Sequence, residues 1–230
     1  MQSDFDTLHP HLIPGTTGTT MAENFANALV MATPEGEIVP DLAAEMPEIS
    51  DDGTTYTFTL REGVQFHPPY DRELTADDVV ENWRTILDEE YGAYGRSTYQ
   101  GILVGDGIDP QETVQKTGEY EVTFNLAKPF APFLIKQAKM SAFGWFNIVP
   151  MEAVEEHGED FGTATTGVWG TGPFMYLPEE STSGSRYVYE ANPNYFKEGE
   201  GGQLPYVDRL VYEVAPESST RSTALEAGDI

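Results

Sequence analysis

Two stretches of the chain alternate between apolar and polar residues with a period of two. Tyr56, Phe58 and Leu60 alternate with Thr55, Thr57 and Thr59, and Tyr120, Val122, Phe124 and Leu126 alternate with Glu121, Thr123 and Asn125. Each pattern predicts a half-buried strand. Asp52-Gly53, between residues 48–51 and the first run, predicts a tight hairpin turn. Elsewhere the spacing is helical. Met21, Phe25, Ala28 and Leu29 predict a helix over 21–31, with Thr20 and Glu23 as its capping box. Val79, Trp83, Ile86 and Leu87 predict a helix over 75–88 with one apolar face, starting at Thr75-Ala76-Asp77-Asp78. A short helix is expected over 132–139, and another from Pro150 until Gly158 closes it. Strands are expected at 174–177, 186–190 and 210–214, and a last helix at 218–227 with Gly228 as C-cap. Residues 91–118, rich in Gly, Tyr and polar groups, read as an irregular surface excursion. This mixture predicts an α+β or α/β fold without the strict βαβ alternation of a nucleotide-binding domain.

Composition narrows the partners. The 230 residues are 39% hydrophobic and include 12 Tyr and 12 Phe, which argues for a folded chain rather than a disordered one. Acidic residues outnumber basic ones 39 to 12, for a formal charge of −27. A phosphate backbone needs a surplus of Lys and Arg, so nucleic acid is excluded as a partner. The carboxylates are spread along the chain and not gathered into a tail. That pattern predicts an acidic solvated surface of the kind used in high salt, where screening relieves self-repulsion. With no cysteine there is no disulfide, thiolate metal site or cysteine nucleophile. No run of 18 apolar residues occurs, and the first ten residues do not have the pattern of a secretory signal.

The candidate chemistry is mostly negative. Gly170-Thr171-Gly172-Pro173 lacks the Lys and Ser/Thr of a phosphate loop, and Pro173 removes a backbone donor, so a tight turn is expected. His9 and His11 flank Pro10 and read as exposed loop residues. No metal site and no cofactor is predicted. Pairs such as Asp77/Asp78 and Glu89/Glu90 are expected in so acidic a chain. Asp51-Asp52-Gly53 lacks the spacing of a calcium loop. Ser97, Ser141 and Ser181 have no nucleophile pattern around them, so an enzyme is not expected. Aromatic rings on loops are more informative: Tyr91, Tyr94, Tyr99, Trp145, Phe146 and Trp169 either line a ligand cleft or pack the rim of the core.

Several of these segments together resemble the extracellular solute-binding proteins of ABC importers, family 5, the oligopeptide, dipeptide and nickel class. Leu8-His9-Pro10-His11 is similar to that family's Leu-Asp-Pro start, with His9 in place of the Asp. Residues 34–43 resemble its stretch ending in Pro-x-Leu-Ala. The most specific strings are Ser50-Asp51-Asp52-Gly53-Thr54-Thr55-Tyr56-Thr57-Phe58-Thr59-Leu60-Arg61-Glu62-Gly63-Val64-Gln65-Phe66-His67 and Leu74-Thr75-Ala76-Asp77-Asp78-Val79-Val80. Tyr120 to Leu126 with Lys128-Pro129-Phe130-Ala131-Pro132-Phe133-Leu134, then Gly170-Thr171-Gly172-Pro173-Phe174, Asn192-Pro193-Asn194-Tyr195-Phe196 and Leu225-Glu226-Ala227-Gly228-Asp229-Ile230, follow in the family's order.

The resemblance implies part of the first lobe of a two-lobed, class C periplasmic-binding-protein-like fold with mixed sheets and surrounding helices. Residues 1–33 would start lobe I, 34–165 would form its inserted subdomain, and 166–230 would return to its core, with the second lobe absent. It implies capture of a di- or oligopeptide outside the cytoplasmic membrane, in the periplasm or as a lipid-anchored protein on its outer face. Delivery to ABC permease subunits by hinge closure of a monomer would follow. The lipid anchor and export signal are not in this chain, which is expected to be a fragment of a longer reading frame. Alternatives are a nickel complex or oligosaccharide as the solute, or a carboxylate-dependent hydrolase or structural module instead of a binder. The resemblance places ligand contacts at Pro14, Gly15, Thr16, Thr17, Thr19 and Thr20, with the rings of Tyr94, Tyr99, Trp145 and Trp169 as further candidates.

Overall fold

The two alternating runs form the middle of one antiparallel sheet. In the computed structural model, which describes residues 1, 4–5, 7–14, 16–103, 110–139 and 145–228, the elements in chain order are α1 (Thr16–Phe25), β1 (Val30–Ala32), β2 (Ile38–Pro40), β3 (Glu48–Ile49), β4 (Thr55–Thr59), α2 (Ala76–Leu87), α3 (Arg96–Tyr99), α4 (Pro110–Thr113), β5 (Val114–Gly118), β6 (Glu121–Asn125), α5 (Phe133–Gln137), α6 (Met151–His157), β7 (Phe174–Tyr176), β8 (Arg186–Ala191), β9 (Glu198–Gly199), β10 (Gly202–Gln203), β11 (Arg209–Glu213) and α7 (Ser218–Ala227). The largest sheet has the order β3-β4-β6-β5 and a second has the order β11-β8-β7; β1-β2 and β9-β10 are two-stranded ribbons. All named pairings are antiparallel. A parallel contact occurs at the bridge between Met31 and Lys139. The class is therefore α+β.

Register follows from the side-chain pattern. Tyr56 faces Phe124 and Phe58 faces Val122, so the buried residues of β4 and β6 share one face. On the other face Thr57 and Thr123 pair, their hydroxyls 3.2 Å apart. Helix α2 lies against β5 and β6 with Val79, Trp83, Ile86 and Leu87 inward. It starts at the expected capping box: the Thr75 hydroxyl takes the Asp78 N–H, and the Asp78 carboxylate takes the Thr75 N–H at 2.8 Å.

Three expectations are corrected. Helix α1 starts at Thr16 and ends at Phe25, so Thr20 and Glu23 lie within the helix and not at its cap. The apolar spacing through Ala28 and Leu29 continues past the point where the chain becomes extended. There the Phe25 carbonyl accepts the Gly172 N–H at 2.8 Å, and Leu29 O accepts from Asp41 and Ala43. The second correction is β5 within the excursion at 91–118. Only Val114 of that strand is buried, with a bulge between Lys116 and Gly118, so the edge strand has no apolar alternation to reveal it. The third concerns His9 and His11, which are 2% and 0% exposed and belong to the interior.

The apolar interior is in two parts. One buried cluster runs from Leu29 to Ile148, and the other combines residues 8–26 with residues 149–189. Packing thus divides near 27–29 and 148–149. The two crossing segments lie side by side, with the Ile148 N–H on the Asn27 carbonyl at 2.8 Å. Beneath them Asp41, fully buried, accepts Asn27 Nδ2 at 2.9 and 3.0 Å and Ala28 N at 3.2 Å, and it pairs with Lys197. Burying a carboxylate is costly unless it is paired and hydrogen-bonded, and these donors offset that cost.

The 170–173 turn is seated directly on the end of α1. A Cβ on Gly170 would overlap the Phe25 carbonyl oxygen, and one on Gly172 would overlap the Phe25 carbonyl carbon. Gly172→Ala is therefore expected to lower stability by about 1–3 kcal/mol, the usual cost of overpacking. Urea unfolding tests this; an unchanged midpoint would mean that the turn lifts from α1 without cost.

Candidate ligand-binding site

The segment leading into α1 brings two of the predicted rings together. Pro10–Leu12 form a short 3-10 turn. Its His11 carbonyl accepts the Tyr94 N–H at 3.0 Å, and the carbonyl of Ile13, the residue after the turn, accepts the Trp145 indole N–H at 2.9 Å. Tyr94 and Trp145 stack with centroids 6.3 Å apart and planes 24° from parallel. Tyr94 is 48% exposed, Trp145 is half-buried, and Pro14 beside them is exposed. The result is an aromatic platform next to the first turn of α1.

A rigid aromatic layer lies beneath it. Phe146 stacks on Trp83 at 4.9 Å and meets Tyr99 edge-on at 5.0 Å, while Tyr99 also contacts Trp83 and Phe133. Gly95 sits against this layer, where a Cβ would lie 2.8 Å from the Phe146 ring. Tyr99 itself is 0% exposed and donates its hydroxyl hydrogen to the Phe133 carbonyl at 3.3 Å. Burial raises its pKa well above the phenol's ordinary value. The expectation of a ligand contact at Tyr99 is therefore corrected: it supports the platform from inside and has no surface to offer.

The remaining candidates fall in different settings. Gly15 lies outside the described residues, and of Thr16 only the backbone is described. Thr17 is half-buried, Thr19 is 7% exposed, and Thr20 is exposed. Trp169 is not brought to the platform by any described ring contact. It stacks on His157 at 5.0 Å and meets Tyr70 and Phe161 at 5.5 and 6.2 Å.

The histidines are a feature that the sequence pattern misrepresents. His9 Nε2 lies 2.6 Å from the Tyr91 hydroxyl, His11 Nε2 lies 3.2 Å from the Asn147 carbonyl, and the two rings are 5.2 Å apart. His67 Nε2 lies 2.9 Å from the Gly172 carbonyl, and its Nδ1 accepts the Gly170 N–H at 3.3 Å, an arrangement that fits only the neutral ring protonated at Nε2. Burial holds the pKa of His9 down at about 2, with the His11 charge adding to it, and holds His11 and His67 at about 4. Their burial could not be read from the sequence, because a His between loop residues has the same pattern inside or outside. Among the described residues no group of three or more His, Cys, Asp or Glu is placed to hold a metal ion.

Comparison with known proteins agrees with this architecture. The sequence profile of the bacterial extracellular solute-binding proteins, family 5, middle, matches residues 37–230. Protein XP55 of Streptomyces lividans is 32% identical over 228 residues, covering 99% of this chain and 37% of that protein. Di/tripeptide-binding protein 2 of Pseudomonas aeruginosa is 31% identical over 227 residues, covering 94% of this chain and 40% of its own length. The solved structure of the binding protein MoaA from A. tumefaciens R10, in complex with mannopinic acid, superposes with a TM-score of 0.82 at 27% identity, over 100% of this chain and 42% of that one. The chain thus spans about two fifths of the length of these relatives and has part of the periplasmic-binding-protein fold. With its profile match, its relatives and its fold in agreement, the chain belongs to the family 5 bacterial extracellular solute-binding proteins.

Proposed function

We propose that the protein carrying this chain captures small solutes, di- and tripeptides first among them, outside the cytoplasmic membrane and passes them to an ABC permease as a monomer. The observation that carries this reading is the Tyr94–Trp145 platform beside Pro14 and the first turn of α1. Exposed rings give a sequence-tolerant apolar surface, and the backbone amides that open a helix suit a peptide carbonyl or carboxylate. Family membership and the di/tripeptide relative favour peptides over a nickel complex or an oligosaccharide. The mannopinic acid complex of the A. tumefaciens structure favours a second reading, a small polar amino-acid conjugate on the same surface.

Hinge closure requires the solute to gain contacts on a second lobe, so residues 1–230 alone are expected to bind a peptide weakly. Calorimetry with a panel of di- and tripeptides, on residues 1–230 and on the product of the complete reading frame, tests this. Tight binding by the complete product, weakened about tenfold by Tyr94→Ala, is the expected result. Absence of peptide binding by the complete product would overturn the peptide reading, and micromolar binding by residues 1–230 would overturn the two-lobe mechanism.

The surface charge carries a further part of the proposal, that the protein works in high salt. Its formal charge of −27 is a source of self-repulsion that ions screen. The melting temperature is expected to rise between 0.1 and 2 M KCl. Equal stability at both concentrations would show that the acidic surface does not depend on screening.

A further inference from the structure

Two of the chain's five lysines meet around Asp41, the carboxylate buried beneath the seam of the interior. Lys139 is held against β1, its N–H on the Val30 carbonyl and its carbonyl on the Ala32 N–H, both at 2.9 Å. It is thereby paired in parallel with Met31, and directly paired residues project to the same face of a sheet. Lys197 reaches that face from the other side: its ammonium pairs with Asp41 and lies 3.2 Å from Met31 Sδ. Arg61 adds a third cation. Its Nε donates to the Asp41 backbone carbonyl at 2.8 Å, and its guanidinium carbon and Lys197 Nζ lie 5.9 and 5.6 Å from the centroid of the Phe196 ring.

The charges at this place do not balance. Asp41 is already engaged, by Asn27 Nδ2 on both oxygens, by the Ala28 N–H and by Lys197. Lys139 is 6% exposed, and among the described residues its ammonium makes no hydrogen bond and no ion pair. Burial lowers its pKa and the Lys197 charge acts in the same direction, while Asp41 and Glu23 act against them. Lys139, Lys197 and Arg61 thus face Asp41 and Glu23 with one cation in excess, in a chain whose formal charge is −27. Donors are in excess as well. An ammonium has three, of which Lys197 uses one on Asp41 and one on Met31 Sδ, and Lys139 uses none. A buried charge left without a partner is costly, so a counter-ion from outside the chain is expected.

We propose that Lys139 and Lys197 together hold a chloride ion at Met31 on the face of β1. One negative charge cancels the excess, and the ion accepts the N–H groups that the protein leaves unused. A sulfate or phosphate would bring a second charge against Asp41 and Glu23. The way in is along the Lys197 side chain, which is 22% exposed.

Bromide takes the place of chloride and scatters X-rays anomalously, which tests the site in crystals of the product of the complete reading frame. An anomalous peak within hydrogen-bonding distance of Lys139 Nζ is expected. In solution the same protein and its Lys139→Met variant, which keeps an aliphatic side chain and removes the ammonium, are melted in potassium chloride and in potassium gluconate at equal ionic strength. Screening of the acidic surface is then the same in both salts, and only a bound chloride adds to stability by linkage. The melting temperature in chloride relative to gluconate is expected to be about 1–2 °C higher for the unaltered protein than for the variant. No bromide peak at Lys139, or the same difference between the salts in both proteins, would overturn the proposal. If Lys139→Met does not fold, the bromide peak decides alone. Ionic strength is held fixed and no peptide is added, so these results depend neither on the screening proposed above nor on peptide capture at the platform.

Discussion

Lowering the pH from 7 to 5 is expected to remove a large part of the protein's stability, and the buried histidines are the reason. His9, His11 and His67 are all at most 2% exposed, with pKa values held at about 2, 4 and 4 by loss of solvation. In the unfolded chain each imidazole returns to about 6.5. Between pH 6.5 and about 4 the unfolded state therefore binds more protons than the folded state. Stability is complete above pH 6.5 and falls as the pH falls. The linkage amounts to about 2 kcal/mol for each imidazole at pH 5, or about 6 kcal/mol together, against a typical total of about 5–15. Relief of carboxylate repulsion acts in the opposite direction, as does Glu81, whose pKa is raised by burial and by its acidic neighbours Glu155, Asp78 and Glu152. The informative quantity is thus the change in pH dependence on substitution. His67→Gln should reduce the stability lost between pH 7 and pH 5, measured by urea unfolding at both. An equal loss in the variant and the unaltered protein would mean that His67 is not held neutral by the fold.

Replacing Arg72 by Met should be the next most damaging change, because one guanidinium holds two helices at once. Its Nη1 and Nη2 donate to Asp78 at 3.0 and 2.6 Å, and its Nε and Nη2 donate to Glu152 at 2.5 and 2.6 Å. Asp78 belongs to the capping box of α2, and Glu152 lies in the first turn of α6. The two acids are not equivalent. The Asp78 side chain is 5% exposed and that of Glu152 is 40% exposed. Removing the guanidinium leaves the Asp78 carboxylate buried with only the Thr75 donors, a situation that costs about 3–5 kcal/mol. Glu152→Gln breaks the exposed half and should cost under about 1 kcal/mol. The Phe66 ring, with the guanidinium carbon 4.8 Å from its centroid, keeps an apolar neighbour in the Met variant, which limits the packing loss. Urea midpoints for Arg72→Met and Glu152→Gln that fell equally would show that the buried pairing is not what holds these helices.

The parts of the fold that were legible before the structure are those whose side chains carry a period. Strands β4 and β6 bury every second residue and lie where the alternation placed them, and α2 starts at its capping box and keeps its apolar face inward. The closing Gly158 of α6 and the left-handed Gly228 after α7 were likewise readable as local backbone chemistry. Strand β5 was not readable, because an edge strand with one buried residue offers no contrast between its faces. Helix α1 was displaced because the apolar spacing carried on through residues whose hydrogen bonds go elsewhere.

The platform was legible in part for a similar reason. Tyr94, Tyr99 and Trp145 gave one signal, large rings on loop segments. Yet Tyr94 is 48% exposed and Tyr99 is fully enclosed by Trp83, Phe133 and Phe146. Five residues of sequence separate opposite environments, and only the packing of Phe146 on Trp83 distinguishes them. His9 and His11 were misjudged in the same way. They sit in a loop by pattern, but that loop is covered by Tyr91, Phe161 and Asn147 from distant parts of the chain.

By itself the sequence determined the family, a fold that mixes helices and strands, the start of α2, the glycines that close α6 and α7, and the strands that bury one face. These follow from local backbone preferences and from the period of apolar residues, both carried by short stretches of chain. Tertiary structure alone decided which loop rings reach the surface, which histidines lose their water, where α1 stops, and that Lys139 and Lys197 meet around Asp41. Each of these depends on contacts between residues tens of positions apart, and desolvation at a point in space leaves no periodic trace along the chain.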